Sequence, residues 1–398
     1  MIDYSHMDRR TFVAVAAASH SRILGANDRI RAALIGAGGR GRYLTAQFKE
    51  LGVEMAGVCD VYEPNLQAGL KEANTGARAF DDYRRVLDDR AFDAVVIATP
   101  DHWHARMVID AVEAGKDVYV EKPMAHTIAE GFDVIAAVRR TQRVVQVGMQ
   151  RRSAEMFLEA KRIMESGQLG DIRLVTSWWL NHTASLTQRE LSGKLDWNAW
   201  LGSAPKRPLD PARFFNWYYF WDYSGGLLIG QAAHIVDAIQ WYMGSNQPVA
   251  VTCTGGRVNL PGAEVPETAT IAIEYPENYL ATFTIGYKAM RYHPANDQLM
   301  QFHGNRARLD VGRESYALYP ESQAVEMKPS AEWKRPGSFS SATAQHIRNF
   351  MECIRTRKDP NAPVEAGQAT NIVLCMAMDS LRSGRRLRWN AAARRVEA

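Results

Sequence analysis

Residues 33–41 have the sequence ALIGAGGRG, in which a short apolar segment runs into a Gly-x-Gly-x-x-Gly turn. Residues 42–51 follow with a helical pattern, so the order is strand, turn and helix. In such a turn Gly36 permits the tight bend, Gly38 lets the backbone approach a pyrophosphate, and Gly41 lets the helix pack on the strand. The N-terminus of the helix offers free N–H groups and a partial positive charge to phosphates. The segment therefore predicts a dinucleotide-binding site.

An acidic residue follows the next apolar segment. Residues 53–59 (VEMAGVC) have the pattern of a second strand, and Asp60 comes directly after it. A carboxylate at this place accepts hydrogen bonds from the ribose hydroxyls and repels the 2′-phosphate of NADP. The hexad alone is weak evidence, but strand, hexad, helix, strand and acid in this order are specific. The sequence therefore predicts NAD as the cofactor.

The composition is that of an ordinary globular protein. The chain has 398 residues, of which 46% are apolar and 23% charged, and this length suggests two domains. The formal net charge is only +4 and the basic residues are dispersed, so nucleic-acid binding is not predicted. Four scattered cysteines match no metal-binding spacing and imply no disulfide framework, and no metal is predicted. No apolar run approaches the roughly 18–20 residues of a membrane span.

The first 26 residues are set apart from the predicted fold. The pair Arg9-Arg10 precedes a short apolar run, and residues 24–26 (LGA) offer the small residues of a cleavage site. This pattern resembles a twin-arginine export signal and predicts a periplasmic enzyme that is exported in folded form. His20 and Arg22 interrupt the apolar run, so the alternative is a cytoplasmic protein with an N-terminal arm.

Strand and helix patterns continue to alternate after the second strand. Their continuous apolar segments are typical of strands buried in a parallel sheet. The alternation predicts an α/β fold with a doubly wound parallel sheet, a Rossmann domain over residues 27–150. Ligands of such a sheet bind beyond the carboxyl ends of its strands. The further strand patterns cover residues 93–99, 117–121 and 144–148, and the helical patterns cover residues 104–114 and 127–140.

Motifs at these strand ends identify a family resemblance. After the hexad come ATPDHWH at residues 98–104 and Glu-Lys-Pro at residues 121–123. A later stretch, WDYSGG at residues 221–226, leads to His234. In this combination the chain resembles the glucose–fructose oxidoreductase, inositol dehydrogenase and MocA family (Gfo/Idh/MocA) of NAD(P)-dependent oxidoreductases.

The resemblance covers nearly everything from residue 27 to about residue 388. It implies a C-terminal α/β domain over residues 151–398 with a large open, mostly antiparallel sheet, and a homodimer or homotetramer that forms through this sheet. A last helical pattern at residues 366–381 is predicted to pack back on the Rossmann domain. Independent support comes from β-rich patterns at residues 174–179, 249–254, 269–275 and 280–285.

Two residues are predicted to be catalytic. Oxidation of a secondary hydroxyl needs a base for the hydroxyl proton and a donor that holds the oxygen. Lys122 is the candidate base, because a lysine at a strand end beside a cationic nicotinamide has a lowered pKa. By resemblance, His234 is the active-site histidine. Many family dehydrogenases place an aspartate four residues before it, whereas Gly230 stands here. Lys122 and His234 must therefore carry proton transfer alone or with another group.

The remaining predicted contacts come from the strand ends and from the resemblance. The aromatic run at residues 214–221 suits stacking on the apolar face of a sugar, and core packing is the alternative. The predicted substrate contacts are Arg151, Asn181, His182, Trp217, Tyr218, Gln231 and His234. The predicted cofactor contacts are Gly36, Gly38, Gly39, Arg40, Gly41, Asp60, Thr99, Pro100, His102, His104, Glu121 and Lys122.

The sequence thus predicts an NAD-dependent oxidoreductase that acts on a secondary hydroxyl of a small-molecule substrate, a sugar, glycoside or cyclitol. One alternative is a redox-neutral glycosidase, in which transient oxidation at C3 allows elimination of the aglycone. The missing aspartate at Gly230 keeps this alternative open. A non-catalytic NAD-binding regulator is a third possibility, against which the intact Lys122 and His234 argue.

Overall fold

The computed structural model describes residues 29–181, 185–287, 297–324 and 326–397. The predicted N-terminal arm or export signal lies outside these residues, and so does His182.

The first domain is built on a sheet of six parallel strands. The strands are β1 (Arg31–Ile35), β2 (Glu54–Cys59), β3 (Arg78–Phe80), β4 (Ala94–Ile97), β5 (Asp117–Val120) and β6 (Val145–Val147). Their order is β3-β2-β1-β4-β5-β6, so the direction of winding reverses between β1 and β4. A crevice for ligands opens at such a reversal. The predicted doubly wound parallel sheet is confirmed.

Helices cover both faces of this sheet. Neighbouring residues of a strand point to opposite faces, and both faces are buried: Ile35 belongs to one apolar core and Leu34 to the other. Thr127 caps the fifth helix, because its hydroxyl accepts a hydrogen bond from the Glu130 N–H and the Glu130 carboxylate accepts one from the Thr127 N–H. The helices are α1 (Gly39–Glu50), α2 (Glu63–Glu72), α3 (Tyr83–Leu87), α4 (Asp101–Glu113) and α5 (Ile128–Thr141).

In its described residues the second domain contains a sheet of ten strands. They are β7 (Ile172–Asn181), β8 (Ala250–Gly255), β9 (Thr268–Tyr275), β10 (Tyr279–Tyr287), β11 (Gln298–Gly304), β12 (Ala307–Gly312), β13 (Ser315–Pro320), β14 (Ala331–Lys334), β15 (Leu387–Asn390) and β16 (Arg395–Glu397). Their order is β14-β13-β12-β11-β7-β10-β9-β8-β15-β16. The β7–β10 pair is parallel and the other strand pairs are antiparallel. The predicted mostly antiparallel sheet is confirmed.

The two faces of this large sheet differ in burial. Alternate residues such as Ile271 and Ile273 are fully buried under α9 and α11, whereas their neighbours are partly exposed. On the open face Leu174 and Leu280 lie side by side in the β7–β10 register and are 37% and 39% exposed. The helices of this domain are α6 (Glu155–Glu165), α7 (Trp197–Leu201), α8 (Pro211–Phe215), α9 (Gly226–Met243), α10 (Ala342–Thr356) and α11 (Val364–Ser383).

Helices α10 and α11 of the second domain lie against the first domain. Asn371 on α11 donates a hydrogen bond from its amide to the Thr127 carbonyl oxygen at 2.9 Å. His346 on α10 is fully buried, and its Nε2 lies 2.9 Å from the Val147 carbonyl oxygen at the end of β6. The helix predicted at residues 366–381 therefore contacts the Rossmann domain. None of the described helices is both long and apolar enough to cross a membrane.

Candidate active site

The glycine-rich turn between β1 and α1 presents bare backbone to the crevice. Gly36 has a φ of +91°, and a Cβ there would lie 2.8 Å from the backbone of Ala98 and Thr99. A Cβ on Gly41 would collide with the Gly36 carbonyl oxygen. Among the described residues no side chain caps the start of α1, so its first N–H groups are free for the phosphates of a cofactor.

Asp60 stands at the carboxyl end of β2, against this turn. Its Oδ2 accepts a hydrogen bond from the Ala37 N–H at 2.7 Å, and its Oδ1 accepts one from the Tyr62 N–H at 2.8 Å. Burial raises the pKa of Asp60 to about 6, although both hydrogen bonds act to lower it. The turn and Asp60 line a cleft of about 920 Å³. Bare backbone, free N–H groups and a carboxylate are what a dinucleotide with an unmodified ribose requires.

Glu121 connects the cofactor cleft to the candidate catalytic lysine. Its buried carboxylate accepts a hydrogen bond from Arg40 Nε at 2.7 Å, and the Lys122 N–H lies 3.3 Å from its other oxygen. Burial acts to raise the pKa of Glu121, but the charges of Arg40 and Lys122 outweigh it and hold the pKa below its ordinary value. Glu121 is therefore an ionised anchor that fixes the backbone at Lys122.

Lys122 points from the end of β5 toward α9. Its Nζ donates a hydrogen bond to the Gly230 carbonyl oxygen at 3.1 Å, and the Lys122–Pro123 peptide bond is cis. Burial lowers the pKa of Lys122, while the carboxylates of Glu121 and Asp101 act against the shift. A lysine with a lowered pKa reaches its uncharged amine form nearer to neutral pH, and this form can accept a proton.

His234 lies one turn after Gly230 on α9 and faces the same cavity. Its ring lies near the indole of Trp179, with 6.1 Å between the ring centroids. Burial lowers the pKa of His234 well below its ordinary value, and the positive charges of Lys122 and Arg151 lower it further. The imidazole is therefore neutral at pH 7 and carries one donor and one acceptor.

Lys122 and His234 line one cavity of about 540 Å³ that adjoins the cofactor cleft. Arg40 and Thr99 line both spaces. The predicted substrate contacts that also line the cavity are Arg151, Trp217, Tyr218 and Gln231. Asn181 ends β7, where its backbone pairs with Tyr287.

Two neighbouring arginines have different partners. Arg152 forms a buried ion pair with Asp237, with 2.8 Å between Nε and Oδ1. Arg151 donates from Nη2 to the Gln298 amide oxygen at 2.6 Å, and its guanidinium lies over the Trp179 ring. Within the described ranges Arg151 has no carboxylate at ion-pair distance, so its charge acts on the cavity and on His234.

The structure separates the two histidines after β4. His104 lines the cavity, and its ring nitrogens lie 2.6 Å from the Pro123 oxygen and 2.8 Å from the Thr99 oxygen. His102, a predicted cofactor contact, instead packs its buried ring on Tyr223 and Trp200, with Nε2 at 3.2 Å from the Trp200 oxygen. The reason is that α4 begins at Asp101, so its first turn directs His102 toward the second domain.

Several cavity residues were not predicted from the sequence. Asp101, buried at the start of α4, accepts a hydrogen bond from the Ser224 hydroxyl at 2.6 Å, and burial raises its pKa. Trp179, Gln298 and Arg313 come from the large sheet and the loop after β12. No local motif marks them, because strand pairing alone brings them to the cavity. In the four described ranges no three His, Cys, Asp or Glu residues are arranged to hold a metal ion.

Comparisons with known proteins agree with this geometry. Residues 30–149 match the model GFO_IDH_MocA, an oxidoreductase family with an NAD-binding Rossmann fold. Residues 161–388 match GFO_IDH_MocA_C, the C-terminal alpha/beta domain of that oxidoreductase family. The resemblance inferred from the motifs and the choice of NAD as cofactor are both confirmed.

The proteins to which this chain is similar include cyclitol and sugar dehydrogenases. Inositol 2-dehydrogenase of Salmonella typhimurium is 34% identical over 125 residues, which span 31% of this chain and only 37% of that protein. The scyllo-inositol 2-dehydrogenase (NAD(+)) of Bacillus subtilis is 24% identical over 338 residues, 83% of this chain and 88% of that protein. A solved levoglucosan dehydrogenase, in complex with NADH and levoglucosan, has a TM-score of 0.72 at 18% identity and covers 90% of this chain and 98% of its own.

Proposed function

Because the chain belongs to the Gfo/Idh/MocA family of NAD-binding oxidoreductases, we propose that it is a dehydrogenase acting on a secondary hydroxyl of a sugar, glycoside or cyclitol. The observation that carries this proposal is the position of Lys122. Its partly buried amine lies in a cavity beside His234, next to the cleft of the dinucleotide.

Lys122 and His234 have different roles toward the substrate hydroxyl. NAD⁺, when bound, accepts a hydride from the carbinol carbon. Lys122, in its amine form, accepts the hydroxyl proton as that bond breaks. Neutral His234 holds the same oxygen or the neighbouring hydroxyl through its free ring nitrogen. Burial of both groups favours the uncharged states that these roles need.

Polar and aromatic groups around Lys122 suit a polyhydroxylated ring. Trp217 lines both the cavity and the cofactor cleft, where an indole can cover the apolar face of a sugar. Gln231 donates from its amide to the Tyr287 hydroxyl at 3.1 Å and keeps its carbonyl oxygen available for a substrate hydroxyl. These features support a carbohydrate or cyclitol substrate. The relative matched over most of its length, a scyllo-inositol 2-dehydrogenase, favours a dehydrogenase over the glycosidase alternative.

One assay tests the proposal against both alternatives. Purified protein and NAD⁺ are mixed with myo-inositol, scyllo-inositol, D-glucose, levoglucosan or 4-nitrophenyl β-D-glucopyranoside, and NADH and nitrophenol are recorded together. We expect NADH with at least one polyol and no release of nitrophenol. Lys122→Ala should abolish NADH formation, whereas Lys71→Ala, on the exposed face of α2, should match wild type. Nitrophenol without net NADH would overturn the dehydrogenase, and NAD binding without turnover would indicate the regulator.

Two properties beyond the chemistry are part of the same proposal. Homodimers or homotetramers would form through the open face of the large sheet, where the exposed Leu174 and Leu280 adjoin. Export to the periplasm through the twin-arginine-like segment rests on the sequence alone.

A further inference from the structure

Gly230 is in contact with two polar groups of the cavity. Its carbonyl oxygen accepts the hydrogen bond of Lys122 Nζ at 3.1 Å. On its other side stands the Tyr218 phenol: a Cβ on Gly230 would overlap the Tyr218 hydroxyl oxygen. Any residue larger than glycine therefore has to displace Tyr218. The space in which an aspartate at position 230 would place its side chain is occupied by this hydroxyl.

The Tyr218 hydroxyl is free to contact a ligand. Tyr218 lies on a 3₁₀ turn (Trp217–Tyr219) whose rings meet edge to face, with 5.5 Å between the centroids of Trp217 and Tyr218. The residue is partly exposed and lines the cavity of Lys122 and His234. In the part of the chain that the structure describes, its hydroxyl makes no hydrogen bond, in contrast to that of nearby Tyr287, which accepts one from Gln231.

We infer that Tyr218 is a catalytic residue, and that its hydroxyl takes the place of the missing aspartate by donating a hydrogen bond to the reacting oxygen beside Lys122. Gly230 is then the residue that makes this position accessible. The inference rests on the proposed function, because it adds Tyr218 to Lys122 and His234 as a third polar group at the same reacting hydroxyl.

A phenol performs this role differently from a carboxylate. Burial raises the pKa of Tyr218 well above its ordinary value, and the neighbouring Tyr287 and Asp101 raise it further. The hydroxyl therefore keeps its proton through neutral pH and acts as a donor to the oxygen on which negative charge develops. Lys122 remains the proton acceptor, so the two residues contact one oxygen with complementary roles.

Tyr218→Phe removes only the oxygen and is the direct test. With the polyol of the panel that wild type oxidises fastest, we expect kcat to fall by about 10²-fold, the usual effect of losing one donor to a developing oxyanion. NADH affinity, measured by fluorescence titration, should stay unchanged, because Tyr218 does not line the cofactor cleft. Tyr219→Phe is the matched control: this neighbour lies outside the cavity lining and should keep the wild-type kcat.

Two substitutions at the glycine complete the test. Gly230→Ala adds a methyl group where the hydroxyl stands and should lower kcat about as much as Tyr218→Phe. The double variant Tyr218→Ala with Gly230→Asp exchanges the donor for a carboxylate, which accepts hydrogen bonds but cannot donate one, so kcat should stay as low as in Tyr218→Ala alone.

The outcomes separate the two proposals. If wild type turns over and either Tyr218→Phe or Gly230→Ala keeps a kcat within about threefold of the wild-type value, the role of Tyr218 is overturned and the dehydrogenase stands. Such a change is far smaller than the loss expected when a catalytic donor is removed. No NADH from any polyol with wild type would overturn the proposed function and the role of Tyr218 with it.

Discussion

Affinity for NAD should depend on the ionisation of Asp60. Both of its oxygens already accept backbone N–H groups, and burial nonetheless raises its pKa to about 6. Only the carboxylate accepts hydrogen bonds from the ribose hydroxyls with both oxygens. Because the protein must lose this proton before it binds NAD tightly, lower pH should weaken binding.

The expected magnitude follows from the pKa. At pH 5, about one unit below the pKa of Asp60, roughly one molecule in eleven carries the carboxylate, so NAD affinity should be about tenfold weaker than at pH 8. Asp60→Asn removes the titrating group and a charge-assisted acceptor, which is worth about 1.5–3 kcal/mol. At pH 8 this variant should therefore bind NAD more than about tenfold more weakly than wild type, and its affinity should change little with pH.

Isothermal titration calorimetry of NAD⁺ between pH 5 and pH 8 measures both effects. Circular dichroism at each pH verifies that the protein stays folded. Asp133→Asn, an exposed acid on α5 away from the cleft, should follow the wild-type curve. A wild-type affinity that does not change with pH would refute the reasoning, and so would an Asp60→Asn variant that loses affinity as steeply as wild type.

Three further predictions concern catalysis, stability and assembly. Oxidation needs the amine form of Lys122, so kcat should rise with pH to a plateau whose apparent pKa lies below that of a free lysine; a rate independent of pH from 6 to 10 would contradict this. Burial lowers the pKa of His346 to about 4 in the folded protein. As pH falls, the imidazole is therefore protonated in the unfolded chain before it is protonated in the folded one. The free energy of unfolding should decrease by about 3 kcal/mol between about pH 6.5 and about pH 4. Urea unfolding at several pH values should show a smaller decrease for His346→Gln. Leu174→Glu with Leu280→Glu should convert the oligomer to monomers in light scattering, and a wild-type monomer would refute assembly through this face.

The Rossmann half of the fold could be predicted because its patterns are local. A buried parallel strand is a continuous apolar run, and a glycine hexad followed by an acid fixes the position of the first two strands. Site residues in this half follow from the same rule, since carboxyl ends of parallel strands converge. Lys122 and Glu121 at the end of β5 are examples.

The other half of the site could be predicted only in part. Trp179 and Gln298 reach the cavity through the β7–β11 pairing, whose register depends on strands more than a hundred residues apart. The start of the helix after β4 was predicted at residue 104, whereas α4 begins at Asp101, so His102 lies in its first turn. From this first turn the His102 ring contacts the Trp200 carbonyl oxygen.

Gly230 shows why a missing side chain is ambiguous in a sequence. Taken alone, the substitution of an aspartate by glycine removes a polar group from the cavity and weakens the case for a dehydrogenase. In the folded chain the same glycine admits the Tyr218 hydroxyl, which lies twelve residues earlier and on a different element. Three polar groups, Lys122, His234 and Tyr218, thus remain for the reacting hydroxyl, and a neutral phenol stands where the carboxylate would be. A neutral donor in place of an anion also leaves Lys122 without one stabilising negative charge, which favours the amine form that the reaction uses.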